Sequence, residues 1–355
     1  MTPKVRQLSL DKVRSGMVLA KDVVSARGIV MLSVNTILTD QAIERIKCWG
    51  FKSLYISENY FDDEGMEGAG GSIKREFSIQ YNSIAEKVKY AFEDIRSKKK
   101  VPLDQLQDLA SQVTESLISA RGVINYLHIV QLVDDYSFQH SVNVAILSGL
   151  FGRWLDMQED EIKRLVLAGL LHDIGKAQMP LEVLNKPGIL SRNETDIMQR
   201  HAVLGYDILR KSGITEPSIL KAVWEHHERL DGSGYPRGIT GDTISKYARI
   251  IAIADIYDAM TSDKVYRRKT TPFVVIETLC SDMYNKLDPA ICATILNYLR
   301  DYFIGNAVVL SDGRQGEVIY VDKSRDVRPI VLVSDGEYLN LELKRDITIV
   351  EVLNL

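Results

Sequence analysis

Cysteine is scarce in this chain, limited to Cys48, Cys280 and Cys292. An odd, scattered set makes a poor disulfide framework and reads as free thiols kept in a reducing compartment. Long apolar runs are also missing. The N-terminus has no continuous hydrophobic segment of the signal-peptide kind, and the apolar stretch 142–150 falls well short of the ~20 residues that cross a bilayer. The expectation is a cytoplasmic protein with no membrane insertion. A strong charge of either sign is absent too: the formal net charge is −4. A surface made for a nucleic-acid backbone is usually basic, so DNA is not an expected partner, although a local basic pocket for a small phosphate ligand stays open. The remaining composition, 45% hydrophobic and 26% charged over 355 residues, is that of globular protein too long for one small core, so two or three domains are expected.

The sequence pattern divides the chain into five stretches. Residues 1–60 read as a small α+β domain, with strands over Met17–Val23, Ile29–Val34 and Ser53–Ile56. A helix over Asp40–Trp49 is capped by Thr39 and stopped by Gly50. Residues 61–72 (FDDEGMEGAGGS) have a linker composition. Two long helices follow over Ile73–Lys98 and Leu103–Val130, where the run Lys98-Lys99-Lys100 suits a solvated helix end; the stretch 73–134 is the expected dimer surface. Helical periodicity dominates 135–302, where Ser191 and Glu194 form a capping box that opens a helix carrying His201. Residues 303–355 are β-rich, with strands over Val308–Leu310, Glu317–Val321, Ile330–Val333 and Leu339–Leu343 separated by Asp-Gly turns. The fold class is therefore mainly α, with a small α+β domain before the helices and a small β segment after them.

Histidine carries the chemistry. There are six, and five of them (His140, His172, His201, His226 and His227) fall inside the helical block beside apolar sequence, so each points inward. His128 stands outside that pattern and reads as structural. Asp173 follows His172 directly, and Asp255 lies in the apolar run IIAIADIYDAM. A buried carboxylate needs a cation or a full set of hydrogen bonds. A single buried histidine is more often a satisfied core residue, but five with two flanking aspartates exceed what a mononuclear site uses. They suit two divalent ions about 3.5–4 Å apart, with a carboxylate able to bridge them, which is phosphoester-hydrolysis chemistry. Lys176, one turn after His172, can set a positive charge beside a phosphate, and Asp258, one turn after Asp255, can orient a ligand from outside the ligand set.

The order His140, HDIGK (172–176), His201, HHERLDGSGYPRG (226–238) and ADIYDAMTSDKVYRR (254–268) resembles the HD-GYP family of HD-domain phosphohydrolases over residues 135–300. The resemblance implies an HD-type helical bundle that hydrolyses cyclic di-GMP to linear pGpG, a reaction that in many members runs on to GMP, with two divalent metal ions, iron or manganese foremost and zinc admissible. It implies that His140, His172, Asp173 and Asp255 hold one metal and that Asp173, His201, His226 and His227 hold the other, with Asp173 bridging. Lys176 would contact the scissile phosphate and serve catalysis with Asp173; Tyr235 would shape the substrate pocket; Lys264 and Arg267 would contact substrate. The sequence departs from relatives at Lys264-Val265, where Arg-Pro is common, and at Tyr136, where some members carry a glutamate for a third metal. A lysine keeps the charge but loses the bidentate fork. That keeps another cyclic dinucleotide such as cyclic GMP-AMP in view as substrate; a silent ligand-binding adaptor is a separate alternative, which an incomplete ligand set would have favoured. A homodimer and a diguanylate cyclase (GGDEF) are the implied protein partners.

Overall fold

A computed structural model describes residues 5–14, 17, 19–21, 23–24, 30–32, 38, 43, 46–47, 51–57, 69–98, 101–118, 123–124, 127, 136–188, 190–262, 270–321, 328–334 and 336–353. Contacts divide the chain into two compact units, Met1–Ile79 and Gln80–Leu355. The architecture is mainly helical with small strand elements at both ends.

In the first unit, β1 (Val5–Ser9) pairs antiparallel with β4 (Ser53–Ser57), placing Leu8 opposite Leu54. β2 (Val23–Val24) pairs with β3 (Val30–Leu32). Alternation along β4 buries Leu54 and Ile56 and leaves Tyr55 outward. The buried cluster joins them to Leu8, Leu19, Leu38, Ile43 and Ile46, the last two on helical positions. Two expectations need correction. β1 lacks a sequence signal because Arg6, Gln7 and Ser9 dilute its pattern. The strand expected over 17–23 is confined to Val23–Val24, with Leu19 contributing only a bridge to Ile56.

α1 (Ala69–Lys98) starts in this unit and runs into the second. It takes in Ala69–Ser72, which the glycine content had assigned to a linker; propagation from the strong pattern beyond Ile73 outweighs two glycines at a helix start. α2 (Leu103–Gln112) does not continue as a uniform helix. It widens into a π turn over Val113–Leu117, where Thr114 Oγ1 donates back to the Ala110 carbonyl at 2.8 Å and the Ile118 N–H reaches Val113 O at 3.1 Å.

The rest of the second unit is a helical bundle with a sheet at its C-terminal end. α3 (Tyr136–Trp154) packs on α4 (Glu159–Leu171) so tightly that a Cβ on Gly169 would lie 2.9 Å from Ala145 Cα. After a 3-10 turn (Ile174–Gln178) and the short α5 (Leu181–Leu184) come α6 (Arg192–Gln199), α7 (His201–Lys211), α8 (Pro217–Glu225), α9 (Lys246–Thr261), α10 (Pro272–Asp282) and α11 (Pro289–Phe303). Ser191 and Glu194 do form a capping box, but its helix ends at Gln199, and His201 opens the next one. α9 is buried all round from Ile250 to Ala254, as a helix apolar on every face must be. β5 (Ala307–Leu310), β6 (Gln315–Tyr320), β7 (Ile330–Val333), β8 (Tyr338–Asn340) and β9 (Ile349–Val352) form one antiparallel sheet in the order β8-β7-β6-β5-β9. β9 was not expected, and β8 stops at Asn340 rather than Leu343. No described helix is long and apolar enough to cross a membrane.

Candidate metal centre

Three imidazoles are fixed by backbone carbonyls three residues behind them. Nδ1 of His172 meets Gly169 O at 2.7 Å, Nδ1 of His201 meets Met198 O at 2.7 Å, and Nδ1 of His226 meets Val223 O at 2.9 Å. A carbonyl oxygen only accepts, so each Nδ1 carries a proton and Nε2 is the ring atom left to coordinate. The sequence produces this locally: His172 and His226 cap the C-terminal ends of α4 and α8, and His201 begins α7 one turn beyond Met198. His140, on α3, is held by Asp258 Oδ2, 2.7 Å from its Nδ1, which again directs Nε2 inward.

These nitrogens converge with two carboxylates. One donor group comprises Asp173, His201, His226 and His227; the other comprises His140, His172 and Asp255; within each, the donor atoms lie within 4.8 Å of one another. Asp173 faces both. Its Oδ1 is 3.4 Å from His201 Nε2, while its Oδ2 is 3.4 Å from His172 Nε2 and 3.7 Å from His140 Nε2. Asp255 likewise reaches His140 Nε2 at 3.2 Å and His227 Nδ1 at 3.8 Å.

The donor set fits divalent cations. Nε2 of His201 and Nε2 of His226 face each other at 3.2 Å, although each Nδ1 has taken its ring's proton. Two lone pairs at that distance repel unless a cation lies between them. His172 Nε2 and Asp173 Oδ1 are buried without a hydrogen-bond partner among the described residues, a costly state that coordination relieves.

Electrostatics separates the imidazoles. Burial lowers His201 and, with the neighbouring histidines, holds His226 far below its ordinary value; burial pushes His227 down to about 3 against the opposing charge of Asp255. These rings are neutral and ready to coordinate. Burial also opposes charge on His140, but the hydrogen bonds its ring donates to Asp255 and Asp258 outweigh it and raise the ring to about 9. Asp173 and Asp255 sit well below the carboxylate range: burial would raise them, but Lys176 with His172 overcomes this for Asp173, and His140 does so for Asp255.

Lys176 places its ammonium 2.5 Å from Asp173 Oδ2. Tyr235 lies over the centre, its ring centroid 4.5 Å from that of His227 and its N–H donating to His227 O at 3.2 Å. Three residues that sequence reasoning passed over hold the surroundings. Glu225 and Glu228, both buried, fasten the loop that carries Tyr235, Glu228 by accepting from Arg237 N and Ile239 N. Asn143 donates to Asp258 Oδ1 at 2.7 Å. The usable signal was a pair of glutamates flanking His226-His227 in a helix end that is otherwise apolar. Lys264, Arg267 and His128 lie outside the described residues.

A family model for the HD domain matches residues 126–291. Cyclic di-GMP phosphodiesterase PA4108 of Pseudomonas aeruginosa is 32% identical over 228 residues, which cover 64% of this chain and 55% of the relative. Cyclic di-GMP phosphodiesterase PdeB of Borreliella burgdorferi is 27% identical over 315 residues, covering 86% of this chain and 83% of the relative. The 3'3'-cGAMP-specific phosphodiesterase 1 of Vibrio cholerae is 35% identical over 178 residues, covering 50% of this chain and 41% of the relative. Among solved structures, Bd1817, a HDG"Y"P protein from Bdellovibrio bacteriovorus, shares the fold with a TM-score of 0.53 at 16% identity, over 84% of this chain and 100% of that one.

Proposed function

We propose that this chain is a member of the HD-GYP family of HD-domain phosphohydrolases, a metal-dependent phosphodiesterase that hydrolyses cyclic di-GMP to linear pGpG, with GMP as the product of any second cleavage. The observation that carries this reading is Asp173, with one carboxylate oxygen toward each of two groups of lone-pair donors. Asp173 is the proposed bridge; His140, His172 and Asp255 complete one site, and His201, His226 and His227 the other. Imidazole and carboxylate donors together suit iron or manganese and admit zinc. When bound, such ions supply Lewis-acid charge to the phosphate oxygens and lower the pKa of a water.

The chain's own residues do the rest. Lys176 sets its ammonium at Asp173, and its proposed role is to contact the scissile phosphate and add charge neutralisation there. Asp258 holds the ring of His140 in the tautomer that coordinates. Tyr235 offers an aromatic wall at the mouth of the centre. Lys264 and Arg267 are proposed to hold the far phosphate and base of the dinucleotide. The exposed face of α1, with Ile79 and Tyr90 outward, supports a homodimer through this region. The proposed location of this activity is the cytoplasm.

The test is turnover by metal-quantified, anaerobically purified protein given cyclic di-GMP and 3'3'-cGAMP side by side. Formation of pGpG with about two ions per chain supports the reading. Faster opening of 3'3'-cGAMP would favour the second substrate, which the Vibrio cholerae relative keeps in view. Full metal loading with neither product formed would sink the enzyme reading.

A further inference from the structure

Helix α1 lies wholly outside residues 126–291, which the HD-domain model matches, yet it reaches the candidate centre at two points. Near its middle, Tyr81 donates its hydroxyl to Asn143 Oδ1 at 2.7 Å. Asn143 Nδ2 donates to Asp258 Oδ1 at 2.7 Å, and Asp258 Oδ2 takes Nδ1 of His140 at 2.7 Å. All four side chains are buried. The direction of the relay is set by its chemistry: the carboxylate accepts from both sides, so the amide must turn its NH2 to Asp258 and its oxygen to Tyr81. Near the C-terminal end of α1, Arg96 Nη2 donates to the carbonyl of Lys176 at 3.2 Å. Lys176 in turn is bound to Asp173 through both its side chain and its N–H.

One rigid helix therefore grips both donor groups, at residues about 22 Å apart along its axis. The Tyr81 grip ends on His140 and the Arg96 grip ends beside Asp173. We propose that Tyr81 and Arg96 are positioning residues through which α1 sets the geometry, and hence the metal affinity, of the two groups, so that a shift of this helix changes how the centre is loaded. The inference rests on the metal reading given above.

The test uses the full chain, stripped with chelator and titrated with Mn2+, with circular dichroism to confirm folding. Tyr81→Phe removes one oxygen and should weaken one of the two binding steps on the order of tenfold, the other step holding its wild-type value. Asn143→Ala should weaken the same step, and the double variant should be no worse than Asn143→Ala alone, because both act along one relay. Arg96→Ala should weaken binding independently and add to Tyr81→Phe. Tyr90→Phe, at an exposed position on the same helix, should match wild type. Wild-type Mn2+ affinity in Tyr81→Phe, or simple addition of the Tyr81 and Asn143 effects, overturns the inference; if Asn143→Ala does not fold, Tyr81→Phe and Arg96→Ala decide it. A wild-type chain that takes up no divalent ion overturns the metal reading and this inference with it.

Discussion

Glu228→Gln should loosen the loop that carries Tyr235 while leaving the donor groups intact. The Glu228 carboxylate is 3% exposed and accepts from two backbone N–H groups, Arg237 N at 2.8 Å and Ile239 N at 3.1 Å. Glutamine keeps the shape but can accept only through its remaining oxygen, so one N–H then faces an NH2 group. A hydrogen bond to a charged acceptor contributes roughly 1.5–3 kcal/mol, and an orphaned buried donor costs a similar amount. The local opening free energy should fall by about 3 kcal/mol, roughly a hundredfold in the opening equilibrium. Native-state hydrogen exchange reads this directly: the Arg237 and Ile239 amides should exchange about a hundredfold faster, with the amides of α4 unchanged as the internal control. KM should rise because Tyr235 loses its fixed position, and metal content should stay at the wild-type value. Exchange of both amides within about threefold of wild type would refute the reasoning, because it would mean that the carboxylate does not hold the loop.

Asp173→Asn should lose both ions and all turnover, since it removes the charge that faces both groups; full occupancy by elemental analysis would refute the bridge. Gly175→Ala puts a Cβ 1.9 Å from the His201 carbonyl and 2.6 Å from Gly205 N, so it should lower stability by about 1–3 kcal/mol or more, measured as a drop in Tm. Tyr235→Phe keeps the ring over His227, so metal content should not change while KM shifts. The metal-free chain should be most stable near pH 6.5. Below the ordinary value of 6.5, the unfolded state takes up protons that His201, His226 and His227 refuse in the fold, so stability is lost as pH falls toward 3. Above it, the stability contributed by protonated His140 is lost as pH rises toward 9. A Tm that does not vary with pH across this range in chelator-stripped protein would contradict both signs.

The sequence by itself singled out seven side chains that the fold brings together, and it did so by contrast: charged and imidazole groups at the end of a run as apolar as Leu165–Leu171 or within Ile250–Met260 have no reason to be there unless they meet one another. It also determined the helical character of the block and the strand alternation of its C-terminal end, because periodicity is local. It did not show that Ser191 caps one helix and His201 opens another, since the break at Arg200 carries no proline or glycine to announce it. β1 was invisible because three of its five residues are polar and its partner β4 lies more than 40 positions away. The tertiary structure alone decided that Asp173 divides its oxygens between two groups, that Glu228 reaches across its loop to Arg237 and Ile239, and that Tyr81 speaks to His140 through Asn143 and Asp258. These are contacts between elements, with separations such as 62 and 115 residues, and no local pattern encodes a partner that only packing brings within hydrogen-bond distance.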